Sequence, residues 1–156
     1  MLFLESPANI DIDIGYNDSP IECVNLLTLK AKLCARGIIY SPGIAHADLC
    51  WAFEKLPVTS DKFDSAVSKD LDVQLQIAQQ WILYAGNQIY ESPEEFPAWN
   101  FLESHLWKGK AAYNKGRWAF WKERARLYSG VTQLSKKTRD AAKQIVVAME
   151  RIEKDN

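Results

Sequence analysis

The sequence predicts an all-α protein, a compact bundle of five to six helices preceded by an extended acidic arm at residues 1–18. Apolar residues recur at three- and four-residue spacing through most of the chain after this arm. Serine followed by proline, a common helix start, occurs at Ser19 and again at Ser41. The chain has 156 residues, of which 47% are hydrophobic and 25% charged. This composition excludes wholesale disorder, and we expect one domain over residues 19–153.

The arm and the first helix are distinguished by their periodicity. In residues 1–18, isoleucines alternate with Asp and Asn, a period-2 pattern that favours an extended segment. Its glycine and acidic residues do not fall at the positions that a calcium-binding loop requires. The first helix is expected to begin after Ser19, with Glu22 completing a capping box, and to stop at Gly37. Its wide apolar face predicts burial on more than one side and comprises Ile21, Val24, Leu26, Leu27, Leu29, Ala31, Leu33 and Cys34.

The second and third helices follow from the same signals. The second is predicted from Ser41 to about Leu56, and Pro57 ends it. Its inward face is expected to be Ile44, Ala47, Trp51 and Leu56, with Leu49 and Phe53 beside it. Residues 58–69 are polar and weakly periodic, which predicts a loop with room for one helical turn. The third helix is predicted from about Asp70 to Tyr90, with Leu71, Leu75, Ala78, Ile82, Ala85 and Ile89 inward and Ile77, Trp81 and Tyr84 beside them.

The last part of the chain alternates breakers with helical patterns. Ser92 and Pro93 indicate a helix start, but Pro97 predicts that this helix is short or kinked. The stretch between Gly109 and Gly116 predicts a flexible connection. Two further helices are expected, from about Arg117 to Tyr128 and from a Ser135 cap to about Ile152. Their inward faces are Trp118, Trp121, Ala125 and Tyr128, and then Ala141, Ala142, Ile145, Val146, Met149 and Ile152.

A string of residues in the C-terminal third resembles a known family. The string reads Tyr113-Asn114-x-x-Arg117-Trp118-x-Phe120-Trp121-Lys122-Glu123-Arg124, then Leu134-Ser135-x-x-Thr138-Arg139-x-x-Ala142, then Met149. Weaker matches are Val24-Asn25-Leu26, Leu49-x-Trp51-Ala52-Phe53 and Ala78-x-x-Trp81-Ile82. The chain is similar here to uncharacterised proteins of filamentous ascomycete fungi that share a domain of unknown function. The resemblance implies an all-helical intracellular protein, and it carries over no reaction and no catalytic residue.

Cysteine usage and hydropathy predict the compartment. The three cysteines form no CxxC motif, and Cys23 and Cys34 are separated by eleven residues in one predicted helix. That spacing corresponds to roughly 16 Å along a helix, which is beyond disulfide reach. We therefore expect reduced, buried thiols in a cytoplasmic protein. No apolar run approaches the length of a membrane helix, and no signal peptide is visible, so no membrane partner is expected.

No motif for catalysis, metal binding or a cofactor is present. The two histidines, His46 and His105, are not spaced for chelation by one helix face. A nucleophile elbow, a phosphate-binding loop and a dinucleotide fingerprint are all missing. We therefore expect no metal and no cofactor, and a non-enzymatic role is favoured, although the sequence does not identify or exclude a reaction.

Charge is strongly segregated along the chain. Residues 1–106 have a net charge of −9, and residues 107–143 have a net charge of +9. The basic segment 108–143 can bind an anion such as nucleic acid, or it can pair with the acidic remainder of the chain. We favour internal pairing or solvated helix surface and keep nucleic-acid binding as an alternative.

The motif from Arg117 to Arg124 supplies the main candidate site. Trp118 and Trp121 share one helix face, and Arg117 and Arg124 lie on the neighbouring face. Such aromatics and arginines can stack on a planar ligand, and Arg139 can join the two arginines in an anion pocket. The favoured interpretation is that the tryptophans fill the core and the arginines pair with acidic residues of the first three helices. Candidate ligand- or partner-binding residues are Arg117, Trp118, Trp121, Arg124, Arg139 and Trp81.

Three functional hypotheses follow. The first is a non-catalytic protein-interaction or regulatory module that binds a protein partner or forms a homodimer. The second is a small enzyme or ligand-binding protein with a pocket between helices, lined by Trp51, Trp81, Trp118 and Trp121. The third is nucleic-acid binding through the basic segment. These four tryptophans continue apolar stripes and are expected in the core, whereas the positions of Trp99 and Trp107 favour neither burial nor exposure.

Overall fold

A computed structural model describes residues 19–39, 42–55, 65–93, 106–110 and 112–156. Within these ranges the chain forms helices and no strand, which confirms the predicted all-α class. The described residues contain five helices, α1 (Pro20–Ala35), α2 (Pro42–Glu54), α3 (Ser65–Tyr90), α4 (Lys115–Gly130) and α5 (Lys136–Asp155). The predicted arm and the predicted helix after Pro93 lie outside the described residues. The single-domain assignment to residues 19–153 stays a prediction.

Helix α3 is the centre of the bundle. It packs against α1, α2 and α5, and α4 packs against α5 and α2. The inward stripe predicted for α3 is confirmed, because all six of its residues are at most 1% exposed. Helices α3 and α5 approach closely at Gly86, where an added Cβ would lie 2.5 Å from Cδ1 of Ile152. The absence of a side chain at this position therefore permits the α3–α5 contact.

Two helix starts differ from prediction. Helix α3 begins at Ser65, five residues before the predicted start at Asp70, so the helical turn allowed within residues 58–69 is continuous with α3. Residues 65–69 contain no proline or glycine to stop a helix. Helix α4 begins at Lys115 because Asn114 caps it, its Oδ1 accepting a hydrogen bond from the Arg117 N–H at 2.8 Å. Gly116 therefore belongs to the first helical turn and not to a flexible connection.

The remaining helix ends test three predicted signals. The Ser135 cap is confirmed, since its side-chain oxygen accepts a hydrogen bond from the Thr138 N–H at 3.1 Å. The stop at Gly37 is also confirmed, with φ of 68° in the left-handed region. The capping box at Ser19 is wrong, because its side chain makes no capping hydrogen bond.

Helix α1 is less buried than its apolar face predicts. Its buried residues are Cys23, Leu27, Ala31 and Cys34. Ile21 and Leu29, in contrast, are 76% and 53% exposed. The expected burial on more than one side is therefore wrong, because among the described helices α3 is its main neighbour.

Helix α2 turns inward the side that contains Leu49 and Phe53, and not the predicted face; Leu56 lies outside the described residues. Ile44 and Trp51 are each 40% exposed. The buried residues are Ala45, His46, Asp48, Leu49, Cys50, Ala52, Phe53 and Glu54. Polar side chains replace the expected apolar ones because α3 and α4 supply their hydrogen-bond partners, which the hydrophobic pattern of α2 alone does not reveal.

Of the four tryptophans expected in the core, Trp81, Trp118 and Trp121 are buried and Trp51 is not. Trp107 is half-buried beside Phe120, with ring centroids 5.4 Å apart, and donates a hydrogen bond to the Lys110 carbonyl at 2.8 Å. Trp99 lies outside the described residues. The three cysteines are free and buried, as predicted. In the described ranges, no helix combines the length and apolar character needed to cross a membrane.

Candidate functional site

A buried carboxylate on α2 organises the polar contacts between α2 and α4. Glu54 is 1% exposed. Its Oε1 accepts hydrogen bonds from Arg117 Nε and Trp121 Nε1, each at 2.7 Å, and its Oε2 accepts one from Arg117 Nη2 at 2.7 Å. Arg117 Nη2 also donates to Cys50 Sγ at 3.2 Å. With the neighbouring His46, these residues form what we call the α2–α4 cluster.

The ionisation of the α2–α4 cluster does not suit nucleophilic catalysis. Burial raises the pKa of the Cys50 thiol to about 12, and the Glu54 carboxylate acts in the same direction. Burial also lowers the pKa of His46 to about 4, and the positive charge of Arg117 adds to the effect. The His46 imidazole stacks on the Tyr113 ring, with ring centroids 4.7 Å apart. Because the thiolate is the reactive form of cysteine, Cys50 is inert at neutral pH.

The space inside the cluster is small. The space that His46, Cys50, Tyr113, Arg117 and Trp121 enclose has a cavity volume of about 0 Å³, so it has no room for a ligand. Ligand pockets for small molecules are typically ~300–1,000 Å³. The arrangement is therefore that of a packed interior contact, with bidentate arginine–carboxylate geometry that fixes the relative position of α2 and α4.

The candidate arginines bond to different groups. Arg117 meets the acidic residue of α2, as the favoured interpretation expects. Arg124, which is also buried, donates instead to the Phe53 carbonyl at 3.0 Å and to the Tyr128 hydroxyl at 2.9 Å. Arg139 lies in the first turn of α5 and donates to the carbonyls of Thr132 and Leu134. Arg139 thus binds the loop between α4 and α5, whereas the other two arginines bind α2.

The candidate tryptophans also lie at different helix contacts. Trp121 joins Glu54 in the cluster. Trp118 faces α5 and donates to Glu153 Oε1 at 2.9 Å. Trp81 on α3 donates to Asp48 Oδ2 of α2 at 2.7 Å, and both residues are buried. The structure therefore brings Arg117 and Trp121 together and places Trp81 and Trp118 at other helix contacts.

The acidic partners of these contacts were missed by sequence reasoning. Glu54, Asp48 and Glu153 were not among the candidate residues, although each accepts a hydrogen bond from a candidate tryptophan. One signal was available, since His46, Cys50 and Glu54 recur every four residues and share a face of α2. A polar row of this kind is usually solvent-exposed, and whether it is buried depends on the neighbouring helices.

Much of the basic segment 108–143 is engaged within the chain. Lys122 pairs with Glu153 at 2.5 Å, and Arg126 pairs with Glu150 at 2.8 Å. Lys136 pairs with Asp140 at 2.5 Å. Together with the bonds of the three candidate arginines, these contacts place acidic residues or carbonyl oxygens beside much of the positive charge. In the described parts of the chain, no three His, Cys, Asp or Glu side chains converge as metal ligands.

A second feature is a surface groove between α3 and α5, which sequence reasoning did not single out. It has a polar section of about 580 Å³ and an apolar section of about 270 Å³ that share Gln144. Gln79 donates a hydrogen bond to Gln144 across the groove at 2.6 Å. In the apolar section, Leu83 is 40% exposed and Val147 is 66% exposed. We call this surface the α3–α5 groove; its α3 residues are Gln76, Gln79, Gln80 and Leu83, and its α5 residues are Lys136, Lys137, Asp140, Ala141, Lys143, Gln144, Val147, Ala148 and Arg151.

Comparison with known proteins identifies the family. A family model described as "Protein of unknown function (DUF3632)" matches residues 8–125, which is about three quarters of the chain. No curated protein and no solved structure gave a significant match. The matched range includes α1, α2, α3 and the cluster residues of α4, and it ends before α5. The chain belongs to the DUF3632 family.

Proposed function

We propose that the chain is a non-catalytic protein-interaction module and that its docking surface is the α3–α5 groove. The observation that carries this proposal is the exposure of Leu83 and Val147 inside a recess lined by charged and amide side chains. Apolar side chains in a polar-rimmed recess are typical of a surface that a partner covers. Leu83 and Val147 belong to two long, well-packed helices, so the surface is rigid before a partner binds.

The small-molecule alternative receives less support. Three tryptophans of its proposed lining are buried in core contacts: Trp81, Trp118 and Trp121. The fourth, Trp51, is exposed, and the ammonium group of Lys55 lies over its ring. The gap beside Trp121 is smaller than a typical ligand pocket. A non-catalytic role also agrees with a cluster in which Cys50 is protonated at neutral pH.

The nucleic-acid alternative is also less supported. It needs a stripe of cations that are available to phosphates. In α4, Lys122, Arg117 and Arg126 instead contact carboxylates of the same chain at 2.5–2.8 Å. Exposed lysines of α5 lie along the α3–α5 groove, whose described lining residues include no aromatic side chain on which bases could stack. A cytoplasmic location is part of our proposal and is supported by three free thiols. The filamentous-fungal origin and a regulatory role are predictions that these contacts do not address.

Site-specific photocrosslinking tests the proposed function. A photoreactive amino acid replaces Val147 in the groove or, as a matched control, Leu127, an exposed residue of α4. In cells of the source organism, we expect defined protein adducts from position 147 and not from position 127. These adducts should disappear when the α5 cations Lys143 and Arg151 are changed to glutamate. Equal adducts from both positions, or none from position 147, would contradict the proposal.

A further inference from the structure

We infer that the partner segment received by the α3–α5 groove is an acidic amphipathic helix, an inference that rests on the proposed function and specifies its partner. The groove is lined by four basic side chains, Lys136, Lys137, Lys143 and Arg151, and one acidic side chain, Asp140. The local net charge is therefore +3. A complementary segment carries carboxylates, since opposite charges across an interface raise the association rate and fix orientation.

Two basic side chains of the groove can exchange their ion-pair partner for a carboxylate of a docked segment. Lys136 and Lys143 both contact Asp140, at 2.5 and 3.8 Å, and their side chains are 83% and 62% exposed. Exposed ion pairs of this kind are weak because water screens them. Carboxylates of a docked segment can therefore replace Asp140 as the partner of either lysine.

The apolar and basic residues of α5 form a row. Lys143, Val147 and Arg151 are spaced by four residues, so they lie along one face of the helix over roughly 12 Å. Val147 is 66% exposed, and Leu83 of α3 stands beside it in the apolar section. The row Lys143, Val147 and Arg151 matches a partner segment in which one apolar side chain contacts Val147. Carboxylates one helical turn before and after it then contact the two cations.

The length and shape of the groove favour a helix. The lining residues of α5 extend from Lys136 to Arg151, a span of sixteen residues that covers roughly 22 Å of helix. A recess between two helices receives a third helix through apolar residues at i, i+3, i+4 and i+7. At the polar end, Gln76, Gln79 and Gln80 offer amide donors and acceptors to the partner's polar side chains.

The same features disfavour other anionic partners. A bilayer surface is flat, whereas the apolar section is recessed and its volume of about 270 Å³ lies between helices. Single-stranded nucleic acid binds through aromatic stacking platforms. Among the described residues that line the groove, none is aromatic.

Fluorescence anisotropy with designed peptides tests the inference. The probe is a labelled helical peptide of about 16 residues with leucines at i, i+3, i+4 and i+7 and glutamates on both flanks. One control peptide replaces the glutamates by lysines, and a second keeps the composition but scrambles the order. We expect the full chain to bind the acidic amphipathic peptide at least tenfold more tightly than either control, and more weakly as salt rises.

Protein variants locate the binding site. Lys143→Glu with Arg151→Glu should weaken binding of the acidic peptide roughly tenfold or more. Arg36→Glu with Lys108→Glu makes the same charge change at exposed residues outside the groove and should change binding less than about twofold. Circular dichroism checks that each variant is folded. If the glutamate pair unfolds the chain, Lys143→Gln with Arg151→Gln should still weaken binding.

Several results would overturn the inference. These are equal affinity for the acidic and lysine peptides, equal loss in both variant pairs, or tighter binding to vesicles of phosphatidylcholine with phosphatidylserine than to the peptide. Concentration-dependent dimerisation that occupies the groove and excludes the peptide would instead assign a second copy of the chain as occupant. If position 147 gives crosslinked adducts but the acidic and lysine peptides bind equally well, the proposed interaction function is still supported. Only the inference that the partner is an acidic helix is then wrong.

Discussion

Removing Arg117 isolates the energetic role of the α2–α4 cluster. In Arg117→Met, Glu54 loses two of its hydrogen bonds, those from Nε and Nη2. Both side chains are almost fully buried, at 4% and 1% exposure. Breaking a buried ion pair by removing one partner costs about 3–5 kcal/mol, because the remaining charge stays desolvated after it loses the opposite charge. For a chain of this size, that cost lowers the midpoint of thermal unfolding by roughly 6–20 °C.

A double-mutant cycle makes the reasoning falsifiable. Urea unfolding followed by circular dichroism gives the free energy of unfolding for Arg117→Met, Glu54→Leu and the double variant. We expect the double variant to be at least about 2 kcal/mol more stable than Arg117→Met, because it removes the buried carboxylate together with the guanidinium. The exposed pair Arg126–Glu150 provides the control, and Arg126→Met should leave the unfolding midpoint nearly unchanged. A loss below about 1 kcal/mol in Arg117→Met would refute the assigned role.

Three further predictions follow from burial and close packing. Because the pKa of folded His46 is about 4, below its ordinary value of 6.5, the unfolded chain binds the proton first, and stability falls as the pH drops from 6.5 towards 4. Urea unfolding should therefore show the unsubstituted chain losing about 2 kcal/mol more than His46→Phe between pH 7 and pH 5; equal losses would contradict this. A thiol reagent at about pH 8 should modify no cysteine in the folded chain and all three in urea, since the thiols are buried, and fast native labelling would count against it. Gly86→Val should cost about 1–3 kcal/mol in thermal unfolding by colliding with Ile152, and Ile152→Ala should recover part of the loss; an unchanged midpoint would show that α3 and α5 separate freely.

The apolar residues that α3 and α4 bury could be predicted from the sequence. In α3 the inward residues follow the spacing of one helix face, and the same holds for Trp118, Trp121 and Tyr128 of α4. These predictions succeed because helical spacing places the residues on one face, and neighbouring helices cover that face in α3 and α4. Local chemistry also identified the Ser135 cap and the Gly37 stop, which depend on neighbouring backbone groups.

The inward face of α2 and the groove could not be predicted in this way. Glu54 is buried because Arg117 and Trp121, more than sixty residues away in the chain, neutralise and bond it. Similarly, Leu83 and Val147 lie outside the buried stripes of their helices, and only the packing of α3 on α5 makes them neighbours. Both features depend on contacts between segments that are distant in sequence, which helical periodicity does not encode.

The central claim is that α2 and α4 form a structural contact while the α3–α5 groove recognises a partner. A nuclear magnetic resonance titration of the ¹⁵N-labelled chain with the acidic amphipathic peptide tests both parts at once. We expect saturable shifts of the backbone amides around Leu83 and Val147, and no shifts at Glu54 or Trp121. Shifts centred on the α2–α4 cluster, or no shifts at the groove at saturating peptide, would contradict the account.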